Sequence, residues 1–184
     1  MTVVDIAVGT GLLAREAHRL MEGRGMLVGI DLSESMLAVA RRTLDIPLVQ
    51  GTAEALPFAT GSADLVMMGY ALRHVSSIDR TLGEAWRVLR PGGRLVLLEI
   101  SPPASRLAGF ATGLIVGGVL PIISGIFARD RQARRLMAYH WRTIAAYAPV
   151  GAVLRMMRQC GFAEECCASE FDLFRFFSAR KPLG

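Results

Sequence analysis

The strongest constraint in this chain is an alternation that repeats through its first hundred residues: a short apolar run, a turn rich in glycine or acid, then a stretch with helical spacing. Residues 3–7 form the first apolar run, and residues 12–22 follow with Leu13, Ala17, Leu20 and Met21 on one helical face. Residues 26–30 are the second run; Asp31 ends it, and Ser33 is placed to cap a helix through Met36, Leu37, Ala40 and Leu44. Strands are predicted at 46–50, 63–69 and 94–100, the last after the Pro91-Gly92-Gly93 turn, with a helix over 78–89. Strands that alternate with helices pair in parallel, and right-handed crossovers put helices on both faces of the sheet. The expected architecture is a doubly wound α/β fold with its ligand crevice at the carboxyl ends of the strands, near positions 7–11, 31, 52 and 69.

Beyond residue 102 the pattern changes. Residues 107–128 carry no charge and account for much of a hydrophobic content of 52% and a mean hydropathy of +0.39. Glycines at 109, 113, 117, 118 and 125 and Pro121 interrupt this stretch, which favours short helices against an interface over one stiff spanning helix. Arg106 before it and Arg129, Arg131, Arg134 and Arg135 after it can meet anionic headgroups. Two readings stand side by side: peripheral membrane contact through 107–128, and a lid that packs over a pocket of its own domain. Helices are predicted over 130–146 and 150–160, and two alternating stretches, 162–169 and 171–179, read as an antiparallel hairpin closing the sheet. The 184 residues then make one domain: a core at 1–102, an apolar helical lid insertion at 103–149, and a closing helix and hairpin at 150–184.

Charge narrows the partners. The net charge of +5 is carried by arginine, Lys181 being the sole lysine, and no basic run is interleaved with aromatics, so no nucleic-acid partner is expected. Cys160, Cys166 and Cys167 lack metal-site spacing and read as reduced structural thiols; no metal is expected. The N-terminus has no basic region leading to a cleavage site, which predicts a cytoplasmic protein, with membrane association as the apolar stretch allows. A homodimer is compatible with the sequence.

Asp5-Ile6-Ala7-Val8-Gly9-Thr10-Gly11 follows a strand and opens a helix, where glycines permit a tight turn and close approach to a ligand. Asp31, 20 residues after Gly11, stands where a carboxylate accepts from both ribose hydroxyls. Gly9-x-Gly11-x-x-Ala14 equally satisfies the dinucleotide fingerprint, so these residues alone leave a nicotinamide enzyme open. The shortness of the chain after strand five, with little room for a second nucleotide half, argues against it.

The segment 3–102 resembles the ubiquinone and menaquinone biosynthesis C-methyltransferases, a class I S-adenosylmethionine-dependent family. The resemblance is carried by Val4-Asp5-Ile6-Ala7-Val8-Gly9-Thr10-Gly11, Asp31-Leu32-Ser33-Glu34-Ser35-Met36-Leu37 and Ala53-Glu54-Ala55-Leu56-Pro57-Phe58. It continues in Leu72-Arg73-His74-Val75, Arg87-Val88-Leu89-Arg90-Pro91-Gly92-Gly93, Leu98-Glu99-Ile100-Ser101 and Gly161-Phe162. It implies a mostly parallel seven-stranded Rossmann-like methyltransferase sheet with S-adenosyl-L-methionine as cofactor. It further implies that Asp5, Ala7, Gly9, Thr10 and Gly11 hold the methionine end, Asp31 the ribose, Met36 an adenine face, and Thr52 with Ala53 the adenine edge, with Leu32 a further cofactor-binding residue. Gly69 would lie beneath the sulfonium. Thr52 and Gly69 depart from the family's usual aspartate or asparagine and serine, and the helical segment that relatives carry before the first strand is not expected here.

Methylating a ring carbon requires an acceptor in its enolate or phenolate form. His74 and His140 are candidate bases by residue type, and Arg73, permanently charged, can orient the acceptor or favour a phenolate. Tyr70 is a further candidate for the acceptor pocket, whereas Tyr139, Trp141, Phe171, Phe174, Phe176 and Phe177 read as packing residues. The expected acceptor is small and lipophilic, a quinol or phenol ring carbon being favoured. The alternatives are an N- or O-methyltransferase of a phospholipid or natural product, and a shortened inactive domain.

Overall fold

The computed structural model describes residues 1–101 and 148–184. The chain divides into two compact units: Met1–Glu99 with Val150–Ala168 and Phe176–Gly184, and Ile100–Pro149 with Ser169–Arg175. The predicted helix over 130–146, His140 and the uncharged stretch 107–128 lie outside the described residues.

Seven strands form one sheet in the order β3-β2-β1-β4-β5-β7-β6. They are β1 (Thr2–Ile6), β2 (Met26–Asp31), β3 (Leu48–Gln50), β4 (Ala63–Gly69), β5 (Leu89–Ile100), β6 (Ala163–Glu170) and β7 (Phe174–Arg180). The helices are α1 (Leu12–Met21), α2 (Glu34–Ala40), α3 (Ile78–Val88) and α4 (Val150–Gln159). β1 pairs in parallel with β2 and β4, β2 with β3, and β4 with β5, while the C-terminal strands run antiparallel. The order reverses at β1: from β1 the chain moves to β2 and β3 on one side, then returns to β4 on the other. That reversal opens a crevice between the loops that follow β1 and β4.

A parallel sheet covered on both faces needs apolar residues at successive positions, and Val3, Val4 and Ile6 in β1 and Val66, Met67 and Met68 in β4 are all buried. On one face Val3, Leu27 and Met67 pack with Ala14 and Met21 of α1 and Leu37 and Ala40 of α2. α3 buries Leu82, Ala85 and Val88 and packs on α4, whose Val153 and Met157 are fully enclosed. Truncating such a leucine to alanine costs roughly 2–5 kcal/mol.

Two boundaries differ from expectation for a physical reason. β3 is only Leu48–Gln50, a short edge strand paired on one side to Gly29–Asp31. β5 begins at Leu89 and runs through Pro91-Gly92-Gly93 instead of starting after it. Its register with β4 shifts between Ala63 and Leu65, and Gly92 N–H and Gly93 C=O pair with the backbone of Lys181. Pairing with the residue that follows β7 carries the ladder through the tripeptide, whose Gly92 keeps a left-handed φ of +79°. Lys181 also anchors the corner: its Nζ donates to the carbonyls of Trp86 and Leu89 at 2.8 and 2.7 Å and lies 3.8 Å from the Trp86 ring centre.

In the second unit, Ser101 N–H donates to Leu173 C=O, and Arg175 donates from Nε to Ser101 Oγ at 2.8 Å. Cys160, Cys166 and Cys167 are thiols that form no disulfide among the described residues. Among the described residues no helix is long and apolar enough to cross a membrane.

Candidate functional site

The turn after β1 is built by two glycines with different tasks. Gly11 ends the turn as the residue before α1, at φ +87°, and a Cβ there would stand 2.2 Å from Leu44 Cδ1. Its lack of a side chain lets the start of α1 close on the turn after α2. Gly9, at φ +56°, would place a Cβ no nearer than 4.0 Å to Ala7 O, so the space before it is open. Ala7 itself adopts φ +55°, a conformation costly for a residue with a side chain.

Asp31, at the end of β2, ties this turn to the next. One carboxylate oxygen accepts from Gly9 N–H at 2.8 Å and the other from Ser33 N–H at 2.8 Å. Ser33 Oγ in turn caps α2 by accepting from Met36 N–H. Each carboxylate oxygen keeps lone-pair capacity for a further donor.

The turn after β4 is held from behind. Tyr70 N–H donates to Leu98 C=O at 2.7 Å, and Tyr70 has φ +58°, a strained value for a bulky residue. Glu99, 1% exposed, accepts from Leu72 N–H and from Arg73 Nη1, each at 2.7 Å. Glu54 Oε1 accepts from Ser76 N–H at 2.6 Å, joining the loop after β3 to the approach of α3.

Two cavities lie along these loops. The larger, about 500 Å³, is bordered by Asp31, Leu32, Met36, Thr52, Ala53, His74 and Ser76 among others. The smaller, about 410 Å³, is bordered by Asp5, Thr10, Leu12, Leu13, Glu16 and Leu98. Ala7, Gly9, Gly69 and Tyr70 border both. Of the residues expected from sequence, Asp5, Ala7, Gly9, Thr10, Asp31, Leu32, Met36, Thr52, Ala53, Gly69 and His74 thus gather on one groove. Gly11 and Arg73 are not among the described residues bordering either cavity: Gly11 packs against Leu44, and Arg73, 8% exposed, is engaged by Glu99. Glu54, Gly51, Val75 and Ser76 were not singled out as site residues. Glu54 stands within the Ala53-Glu54-Ala55 motif, and its bond to Ser76, 22 residues on, carries no local signal. Glycine at 69 matches Leu13, whose Cδ2 would be 3.1 Å from an added Cβ.

Asp5 is the unusual charge. It is 1% exposed, and neither oxygen has a hydrogen-bond partner of ordinary geometry. Burial pushes its pKa from 3.8 up to about 8; the Asp31 carboxylate adds to the rise and the Ala14 backbone N–H opposes it. A buried carboxyl with idle oxygens on the wall of a cavity is a receptor for a cationic or hydrogen-bond-donating group.

The groove fits S-adenosylmethionine. Its two cavities match a nucleoside half and an amino-acid half joined at one atom. Asp31 retains acceptor capacity for vicinal hydroxyls, Gly9 leaves the space a Cβ would enter, and Asp5 has idle oxygens on the second cavity's wall.

Known proteins agree. Residues 1–169 match the model of the ubiE/COQ5 methyltransferase family. A ubiquinone/menaquinone biosynthesis C-methyltransferase UbiE of Hahella chejuensis is 37% identical over 179 residues, 94% of this chain and 70% of that protein. A demethylmenaquinone methyltransferase of Symbiobacterium thermophilum is 37% identical over 171 residues, 88% of this chain and 68% of that protein. The chain therefore spans about two thirds of the length of these relatives. Among solved structures, a SAM-dependent methyltransferase from Aquifex aeolicus superposes with a TM-score of 0.70 at 14% identity, covering 98% of this chain and 82% of that one. The CMeT domain of the citrinin polyketide synthase gives 0.72 at 14%, covering 100% of this chain and 47% of that one. At such identity these two establish the fold, a Rossmann-like methyltransferase sheet, and the sequence relatives establish the rest: the chain belongs to the ubiE/COQ5 family of S-adenosylmethionine-dependent methyltransferases.

Proposed function

We propose that the chain methylates a ring carbon of a small lipophilic quinol or phenol. The observation that carries this reading is the family match over residues 1–169, joined to relatives whose names specify C-methylation in quinone biosynthesis. The character of the groove is compatible with it: Tyr70, where the two cavities meet, offers an aromatic wall to an acceptor.

The cofactor, when bound, supplies an electrophilic methyl group on a sulfonium. The protein's part is to hold acceptor and methyl in line and to keep water out. Asp31 binds the ribose hydroxyls, Met36 and Leu32 flank the base, Thr52 and Ala53 meet its edge, and Asp5 with Thr10 receives the amino-acid end. His74, on the wall of the larger cavity, takes the proton that leaves the acceptor hydroxyl. Arg73, held by Glu99 and bordering neither cavity, acts through the loop it stiffens. The uncharged stretch 107–128 and its flanking arginines deliver a lipophilic acceptor from a membrane surface.

The test is product analysis. Purified protein, S-adenosylmethionine and a prenylated naphthoquinol or benzoquinol lacking one ring methyl are incubated under reducing conditions. A C-methylated ring identified by NMR is the expected product. An O- or N-methylated product with other acceptors, and none with these quinols, overturns the reading.

A further inference from the structure

Among the described residues four border both cavities, and three of them, Ala7, Gly9 and Gly69, carry nothing larger than a methyl group. Tyr70 is the exception. The two halves of S-adenosylmethionine, nucleoside and amino acid, meet at the sulfonium, so the junction between the cavities is where a positive charge comes to rest. Among the described residues, the one sizeable side chain at that junction is an aromatic ring.

The backbone holds Tyr70 there against its own preference. Its φ of +58° lies in the left-handed region, where a bulky side chain is a genuine outlier. Two restraints maintain it. Tyr70 N–H donates to Leu98 C=O at 2.7 Å, and two residues on, Leu72 N–H is taken by buried Glu99. Glycine would relieve the strain at this position, and indeed Gly69 precedes it. A tyrosine retained at such an angle points to a use for its ring.

We propose that Tyr70 is a cofactor-contacting residue whose ring face stabilises the sulfonium cation at the junction of the two cavities, so that it discriminates the charged methyl donor from the neutral thioether product. This rests on the assignment of the groove to S-adenosylmethionine. The physics is the attraction of a cation to the negative face of an aromatic ring within about 6 Å. Tyr70 is 41% exposed, which leaves it surface to offer the acceptor as well.

The experiment is calorimetric titration of S-adenosylmethionine and S-adenosylhomocysteine into the wild type, Tyr70→Phe and Tyr70→Leu, each first shown to be folded by circular dichroism. The readout is the ratio of the two dissociation constants, which a purely structural role would leave unchanged because both ligands share every other group. Tyr70→Phe keeps the ring and is expected to keep the ratio. Tyr70→Leu keeps bulk without a π face, and the ratio is expected to shift against S-adenosylmethionine by about 2- to 30-fold, the range for exposed to desolvated cation–π contacts. An equal weakening of both ligands by Tyr70→Leu, or no change in either, overturns the proposal while leaving the groove assignment intact. A wild type that binds neither ligand overturns the groove assignment instead. Should the leucine variant fail to fold, Tyr70→Trp takes its place: an unchanged or enhanced preference for the cation supports the proposal and its loss overturns it.

Discussion

Two carboxylates stand at the ends of neighbouring parts of the sheet and do the same mechanical job with opposite consequences. Asp31, at the end of β2, grips the turn after β1 through Gly9 N–H; Glu99, near the end of β5, grips the turn after β4 through Leu72 N–H. Each strand end thus holds the loop of the strand beside it. The difference is solvent and company. Asp31 is half-buried on the wall of the larger cavity and bonds only neutral amides, so it has capacity left for a ligand. Glu99 is sealed, and its second oxygen is engaged by a guanidinium that is itself 8% exposed. One carboxylate serves binding while it supports the fold; the other supports the fold so that binding residues keep their places.

The largest effect separating them is on stability. Glu99→Ala leaves Arg73 as a buried charge with no counter-ion and Leu72 N–H without its acceptor, and removing one partner of a buried pair costs about 3–5 kcal/mol. Urea unfolding is expected to show that loss, with a much smaller one, about 1 kcal/mol, for Asp31→Ala. Equal losses at the two positions would erase the distinction. The double variant Glu99→Leu, Arg73→Met is expected to recover most of the stability, since it removes both charges together.

A third carboxyl sharpens the contrast because Asp31 acts on it. Asp5, with its pKa raised to about 8 chiefly by burial, is protonated in the folded chain across a range where the unfolded chain is ionised. Its contribution to stability is therefore complete below pH 3.8 and is lost as pH rises towards 8, at up to about 1.4 kcal/mol per pH unit. Between pH 6 and pH 8 the wild type is expected to lose about 2 kcal/mol that Asp5→Asn does not lose, read from urea midpoints at each pH. Parallel pH profiles for the two proteins would show that Asp5 ionises freely in the fold. Asp31→Asn, by removing a neighbouring charge that raises the Asp5 pKa, is expected to end the decline at lower pH and make the total loss smaller.

In binding the order reverses. Asp31→Ala is expected to weaken S-adenosylhomocysteine by about 10- to 100-fold, as two charge-assisted hydrogen bonds to a ribose are removed, with the fold retained. A conservative Glu99→Gln keeps an acceptor for Leu72 N–H and is expected to change cofactor affinity less than fivefold. Calorimetry on the two variants side by side decides whether binding and support are divided between the carboxylates as described.

What could be read from sequence follows the same division. Asp31 announces itself locally: an acid at the end of an apolar run, a fixed distance after a glycine turn, before a capping serine. Met36, Thr52 and Ala53 follow from the motif they stand in. Glu99 gives no such signal, because its meaning depends on β4 and β5 lying side by side and on a turn 27 residues away. Gly11 was legible as a turn residue but not as a packing contact, since Leu44 reaches it only after α2 has folded back. The start of β5 was hidden for the same reason: Pro91-Gly92-Gly93 reads locally as a turn, and only pairing with Lys181, just past the last strand, draws it into β5. Arg73 illustrates both sides, visible as a charged residue in a motif, invisible as half of a buried pair.

The smallest effect tests whether the groove was tuned or merely tolerated at a departure from the family. Thr52 borders the larger cavity at the end of the short β3, in the loop whose Glu54 is tied to Ser76. A threonine hydroxyl there offers a weaker acceptor than the carboxylate expected in relatives. Thr52→Asp supplies an ionised acceptor to the adenine edge, and one added hydrogen bond is worth about 1 kcal/mol, roughly a fivefold gain in affinity. The gain is expected for S-adenosylmethionine and S-adenosylhomocysteine alike, because the adenine is common to both. That equality distinguishes it from the substitution at Tyr70, whose effect falls on the cation. A loss of affinity for both ligands would mean that Glu54, one residue beyond Ala53, already makes the loop too acidic to accept a second carboxylate, and that threonine is the residue this loop requires.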